Sequence, residues 1–263
     1  MNRRRVVVTL VVVVGLLVSA LPAAAQGMNE PLTWLINITV KPGKMMDLKS
    51  AAEKYDQPIL DKLVLDGAIS SWGLACQVVG PPQESCFYYA TAANWAGLGR
   101  LQKAFMANRA AMKESEMKAM TESMLQNTDP SKETSSVARH VVFHVRPGGA
   151  PHFLLRHIYK FKPGKSEEAV KLYKEYIEPT YQKLLDSGVI AGFGLAVPEM
   201  RSGATWTHTS WIVFSDMTDL DAVDKAFEEA GKARGKALNS MLDSAFLKMS
   251  VPDAHVDSLA HLV

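Results

Sequence analysis

Two stretches of this chain are copies of one another, and a duplication restricts the possible folds more than any local propensity does. The first copy contains Val40-Lys41-Pro42-Gly43-Lys44 and the second Phe161-Lys162-Pro163-Gly164-Lys165, an offset of 121 residues. The offset then carries Pro58 onto Pro179, Leu63 onto Leu184, Gly67 onto Gly188, Trp72 onto Phe193 and Gly73-Leu74-Ala75 onto Gly194-Leu195-Ala196. One inserted residue raises it to 122, after which Lys103-Ala104-Phe105 meets Lys225-Ala226-Phe227 and Ser136-Val137-Ala138 meets Ser258-Leu259-Ala260. Units this alike must fold alike, so the element order of one is the element order of both.

Within each unit the pattern reads strand, helix, strand, strand, helix, strand. Thr33 to Lys41 alternates and is rich in β-branched and aromatic residues, as a half-buried strand requires. Lys-Pro-Gly-Lys turns the chain. Helical spacing predicts one helix from about residue 45 to 65, repeated from 166 to 185, with Pro58 and Pro179 producing a shared bend. Gly67 and Gly188 end these helices. Two strands follow, then a single long helix over 98–125 and 220–247, then a closing strand. This is the ferredoxin-like βαββαβ plan, and it makes the chain an α+β protein. A lone unit covers one face of its sheet with helices. A tandem copy supplies the other face, so the two units pack as an intrachain pseudo-dimer. The expected organisation is a signal peptide over 1–25, repeat 1 over 27–146, a Pro/Gly linker over 147–151 and repeat 2 over 152–263.

Arg3-Arg4-Arg5, an apolar run from Val6 to Leu21 and Ala23-Ala24-Ala25 have the layout of a secretory signal. The apolar run falls short of the ~20 residues of a spanning helix. Cleavage removes three arginines and no acid, leaving 26 basic residues (29 less three) against 27 acidic ones. A near-neutral chain carries no electrostatic footprint for nucleic acid. The expected product is periplasmic or secreted, free of the membrane after cleavage, with a small-molecule ligand or a second copy of itself as partner. In that oxidising space Cys76 and Cys86, either side of Gly80-Pro81-Pro82, are expected to form a disulfide. Repeat 2 has Val197 and His208 in their places, so the fold does not depend on it.

The strand-KPGK-helix opening, the proline in the first helix and the phenylalanine early in the second resemble the dimeric α+β barrel superfamily. That group includes NIPSNAP proteins, antibiotic-biosynthesis monooxygenases, haem-degrading monooxygenases and stress-responsive barrels. The resemblance implies a ligand pocket between sheet and helices. Haem-degrading members place an Asn seven residues before the turn glycine, and a Trp six before and a His four after the helix phenylalanine. Here those positions are Ile36 and His157, Gly99 and Asp221, and Arg109 and Gly231. All the functional residues are missing, and no cofactor is expected.

The copies differ on one face of the first strand, where Trp34, Ile36, Ile38 and Val40 become Leu155, His157, Tyr159 and Phe161. His157 and Tyr159 together could supply acid–base chemistry or orient a quinone or phenol; a His and a Tyr that merely satisfy buried partners is the plainer alternative. His208 and Trp211, in Trp206-Thr207-His208-Thr209-Ser210-Trp211, complete the candidate pocket. His140 and His144 share one face of a strand by alternation, but no carboxylate or Cys completes a metal set there, and a solvated or barrel-lining strand is the better reading. The methionines from Met106 to Met124 read as core filling. Two functions fit first: an exported binder of a small aromatic or hydrophobic molecule, or a cofactor-independent oxygenase, with its pocket in repeat 2; or a non-catalytic barrel that binds a protein partner or assembles. Metal or haem binding through His140, His144 or another surface His is a third, weaker alternative.

Overall fold

The computed structural model describes residues 30–80, 85–149, 151–201 and 206–263. The segment 1–25, expected to be a signal peptide, and most of the turn after Gly80 lie outside the described residues. Repeat 1 supplies β1 (Leu32–Thr39), β2 (Ser71–Val79), β3 (Ser85–Ala92) and β4 (Thr134–Val145), and repeat 2 supplies β5 (Phe153–Tyr159), β6 (Gly192–Arg201), β7 (His208–Phe214) and β8 (Val256–Leu262). The eight strands close into one barrel in the order β1-β3-β2-β8-β5-β7-β6-β4. Each half keeps the ferredoxin-like order, and the β2–β8 and β4–β6 ladders join the halves. Closure removes every sheet edge. All neighbours are antiparallel. Strands four steps apart, such as β1 and β5, therefore run the same way, and the pseudo-two-fold lies along the barrel axis.

The repeated KPGK turn has a physical purpose. Gly43 and Gly164 take φ of 72° and 79°, a region where only glycine sits without strain. Beyond the turn, Lys41 and Lys162 aim their amines at the carbonyls of Leu125 and Lys248, at 2.6 and 2.7 Å. Each lysine thereby neutralises the negative end of a helix.

The helices differ from the sequence expectation. Each expected long helix is two segments. In repeat 1, α1 (Met45–Tyr55) gives way at Asp56 to α2 (Gln57–Leu65), and α3 (Trp95–Ala111) to α4 (Glu114–Asn127). In repeat 2, α5 (Ser166–Leu172) runs through a π-helical turn, Tyr173–Ile177, into α6 (Glu178–Asp186), and α7 (Asp219–Arg234) breaks before α8 (Lys236–Met249). Pro58 and Pro179 cause the first break, by removing a donor from the helical ladder. The second break comes at extended residues Met112 and Lys113 in one copy, and at Gly235 with φ 80° in the other. All these segments cover the outer face of the barrel. Leu32, Leu60, Leu63 and Leu98 fill the outer core of repeat 1, and Tyr181, Leu184, Ile190, Phe193 and Phe214 that of repeat 2. Cys76 and Cys86 are cross-strand partners joined as a disulfide. A clip this short contributes about 2–3 kcal/mol by restricting the unfolded chain. Among the described residues no helix is long and apolar enough to cross a membrane.

Candidate functional site

Strand alternation sorts the barrel's side chains into an outer set against the helices and an inner set facing the axis. The inner set does not fill the barrel. It surrounds a cavity of about 360 Å³. Phe87, Tyr89, Phe143, Trp206 and Trp211 give it aromatic walls, while Thr33, Thr91, His140 and Arg156 supply polar groups.

Two glycines make room for two of these rings. Tyr89 faces Gly73 across β3 and β2, and Trp211 faces Gly194 across β7 and β6. A Cβ on Gly73 would come within 2.6 Å of the Tyr89 hydroxyl, and one on Gly194 within 2.6 Å of the Trp211 ring. These glycines are equivalent in the duplication, as are the rings lying over them. Each pair is an aromatic laid across a bare strand position, a close approach that only glycine permits.

At one end of the cavity a hydrogen-bonded chain crosses four strands. The Trp211 indole donates to His140 Nδ1 at 3.3 Å, His140 Nε2 lies 2.7 Å from the Thr33 hydroxyl, and Thr33 Oγ1 lies 2.8 Å from Thr91 Oγ1. Indole can only donate. His140 therefore accepts at Nδ1, carries its proton at Nε2 and passes it toward Thr33. Burial pushes the imidazole pKa down to about 3, so it stays neutral near pH 7 with its one lone pair already engaged. Such a group orients a partner but makes a weak base. A β-bulge between His140 and Val142 reverses the alternation beyond it. Phe143 is thereby aimed into the cavity, while His144 turns outward to stack on Phe193 and meet Glu178 at 2.9 Å. The two histidines that strict alternation puts on one face are on opposite faces.

Among the described residues Arg156 is the one charged group in the cavity wall. Its guanidinium stands over the Phe87 ring at 4.0 Å and its Nη2 donates to Ser258 Oγ at 3.2 Å. Its buried Nε has no partner among the described residues. Burial lowers its pKa to about 10, which leaves it charged at neutral pH.

The four candidates from sequence do not share a pocket. Only Trp211 lines the cavity. His157 and Tyr159 do lie side by side, rings 6.5 Å apart and stacked, but on the outer face. There His157 Nδ1 is 2.6 Å from Asp257 Oδ1, His255 Nε2 is 2.9 Å from the same oxygen, and Tyr159 stacks on His255 at 4.7 Å. Two imidazoles and a carboxylate are donors that zinc accepts. The separations to Asp257 are hydrogen-bond lengths, however, shorter than the ~3.3 Å between donors of a tetrahedral zinc. The triplet as it stands is a hydrogen-bonded cluster. His208 is buried on the outer side of β7, between Ser166 Oγ and Thr207 Oγ1, each at 3.0 Å. Burial lowers its pKa to about 4, so it too is a neutral fixture.

Sequence reasoning does not reach Arg156, Thr33, Thr91, Tyr89 and Phe87: Thr33 and Arg156 lie on the opposite face of β1 and β5 from the His157–Tyr159 difference, and Phe87, Tyr89 and Thr91 lie on β3. The alternate face carried the signal: Leu35 in repeat 1 becomes Arg156 in repeat 2, a cation at an inward position of an apolar strand.

This architecture is a dimeric α+β barrel with both halves in one chain. Among solved structures, the chain is similar to a candidate monooxygenase from Fusobacterium nucleatum subsp. nucleatum, with a TM-score of 0.56, 13% identity, and 89% of this chain and 91% of that one covered. It is also similar to a candidate monooxygenase from Lactobacillus acidophilus, at TM-score 0.52 and 11% identity, covering 89% and 93%. At such identities the likeness is one of fold. No protein-family model matches the sequence, and neither does any curated protein.

Proposed function

We propose that the protein is an exported binder of a small, planar aromatic or hydrophobic molecule, and that the ligand sits in the central cavity between the two repeats. The observation that carries this reading is the cavity itself. A barrel of eight strands is narrow enough for side chains to fill, yet about 360 Å³ stays open between aromatic walls, with polar groups confined to particular points. That combination is the usual make-up of a small-molecule site. Export is supported by the Arg-apolar-Ala series of residues 1–25 and agrees with the Cys76–Cys86 disulfide, a bond that persists outside the cytosol.

A ligand that binds only the folded state raises the melting temperature, so a screen of quinols, flavonoids and naphthalene derivatives tests the reading. Thr209→Trp, which fills the cavity from β7, should abolish the shift. His157→Ala with Tyr159→Phe, on the outer face, should leave it intact. The reverse pattern would move the site to the outer face of repeat 2, and the absence of any shift would leave the barrel as an assembly scaffold. Oxygenase activity is a second reading, favoured by the description of the two structural neighbours as candidate monooxygenases. His140 is poorly suited to be its base, so oxygen uptake with bound ligands decides between binding alone and turnover.

A further inference from the structure

We infer that the cavity's ligand is an organic anion, an aromatic carboxylate or phenolate whose charged oxygens pair with Arg156. The inference rests on the proposed ligand site and names the class of molecule that fits it. Arg156 replaces the apolar Leu35 of the other copy, at the same level of the barrel and against the same cross-strand neighbours: Leu35 pairs with Tyr89 and Ser136, Arg156 with Trp211 and Ser258. A packing role would be served by the leucine. The arginine brings a charge into an apolar interior, which is costly unless it is paired.

Among the described residues that pairing is missing: no Asp or Glu forms an ion pair with Arg156, and none lines the cavity. The Phe87 face and one serine hydroxyl hold the guanidinium in place, leaving the Nε edge unbonded. Arginine cannot escape the cost by deprotonating near neutral pH. A part-buried guanidinium that lines the cavity, fixed over an aromatic ring, is suited to receive a carboxylate or a phenolate by charge-assisted hydrogen bonds. The neutral His140–Thr33–Thr91 chain carries no charge and so does not compete for the cation.

The test uses a matched pair, 2-naphthoate and its neutral isostere 2-naphthamide, titrated at neutral pH into the intact protein by calorimetry. The wild type should prefer the anion at least ten-fold. Arg156→Met should bring the anion's affinity down to that of the amide while leaving the amide's unchanged, which also shows that the variant is folded. Arg156→Lys should restore part of the preference, because it keeps the charge and loses the fork. Equal affinities in the wild type, or a preference that survives Arg156→Met, would overturn the assignment of an anion while leaving the cavity reading intact. If neither compound nor any member of the wider screen binds, the cavity reading fails and the anion assignment fails with it.

Discussion

The two halves of the barrel interior are built from the same strands and end in opposite chemistry. Around one end of the cavity, repeat 1 contributes Thr33, Thr91 and His140. The equivalent positions of repeat 2 are Leu154, Val213 and Leu262. The registers are the same, Thr33 opposite Thr91 and Leu154 opposite Val213, so the difference lies in side chains alone. One wall level further in, the polarity reverses: repeat 1 has Leu35 and repeat 2 has Arg156. The duplicated fold therefore supplies a symmetrical container, and substitutions on its inner face have made it asymmetric, with a neutral hydrogen-bonding corner in one half and a fixed cation in the other. A two-fold cavity presents the same groups to both ends of a ligand. This one can hold a molecule with unlike ends in a single orientation.

The sharpest contrast between halves is at the paired glycines. Gly73→Ala and Gly194→Ala are the same change at equivalent positions, but the added Cβ meets different neighbours. At Gly73 its nearest contacts are all Tyr89 side-chain atoms, at 2.6–2.7 Å, whereas at Gly194 it also meets the Val142 carbonyl oxygen at 2.6 Å. A ring beside a cavity can swing aside; a ladder carbonyl cannot. Gly194→Ala should cost about 3 kcal/mol and Gly73→Ala nearer 1 kcal/mol, spanning the range of overpacked cores. Urea-midpoint measurements on the two variants check this. Equal losses would mean that the Tyr89 ring yields no more readily than the Val142 carbonyl.

These glycines also show what was legible in the chain. The repeat of Gly73-Leu74-Ala75 fixed the alignment of the halves, and the alignment with the strand pattern was enough for the ferredoxin-like units and their pairing through a tandem copy. It could not reveal that Gly73 is needed by Tyr89, because a cross-strand partner depends on register, which a sequence states only indirectly. The helix breaks were half visible. Pro58 and Pro179 announced theirs, but Met112 and Lys113 carry no breaking residue, and the break there is a matter of backbone conformation and of the Glu116 carboxylate accepting from the Lys113 amide at 3.3 Å. The site was least legible. The copies differ most visibly at His157 and Tyr159, which lie on the outer face, and the β4 bulge that separates His140 from His144 has no local signature.

The polar corner can be tested against its apolar twin. His140→Leu alone leaves the buried Trp211 indole without its acceptor and shortens the chain through Thr33, which should cost about 2 kcal/mol, the range for an orphaned buried donor. The triple change Thr33→Leu, Thr91→Val and His140→Leu copies the repeat 2 end into repeat 1 and leaves only the indole unsatisfied. Its cost should be about 1 kcal/mol, well below the sum of the three single changes, since groups in one network do not contribute additively. Chemical denaturation of all four variants makes the comparison. Strict additivity would show that the hydroxyls and the imidazole act separately.

The smallest effect concerns acid. Each half buries one neutral imidazole that its twin lacks: His140 faces Leu262 across the pseudo-symmetry, and His208 faces Cys86. Burial holds their pKa values at about 3 and about 4, below the ordinary 6.5. As pH falls through 6.5, the unfolded chain takes up protons at these positions and the folded protein does not. The unfolded state then binds more protons, and stability declines. The decline runs from about pH 6.5 down to about 3 for His140 and about 4 for His208, and stops where the folded protein protonates as well. Exposed carboxylates with lowered pKa values, Asp129, Glu199 and Asp216, add their own loss only nearer pH 4 and below, while Asp56, whose carboxyl is raised by burial, contributes with the opposite sign, so it is the difference between variant and wild-type profiles that reports the histidines. From pH 7 to pH 6 each should account for less than about 1 kcal/mol. His140→Leu and His208→Leu should each flatten that part of the profile, and the double variant should remove most of it. Urea midpoints at pH 7, 6 and 5 give the slopes. An unchanged slope in His140→Leu would mean that water reaches the imidazole through the cavity and that its burial is incomplete. That would weaken the corner as an orienting group, because a histidine that titrates in the accessible range could not keep a fixed Nδ1 acceptor for Trp211.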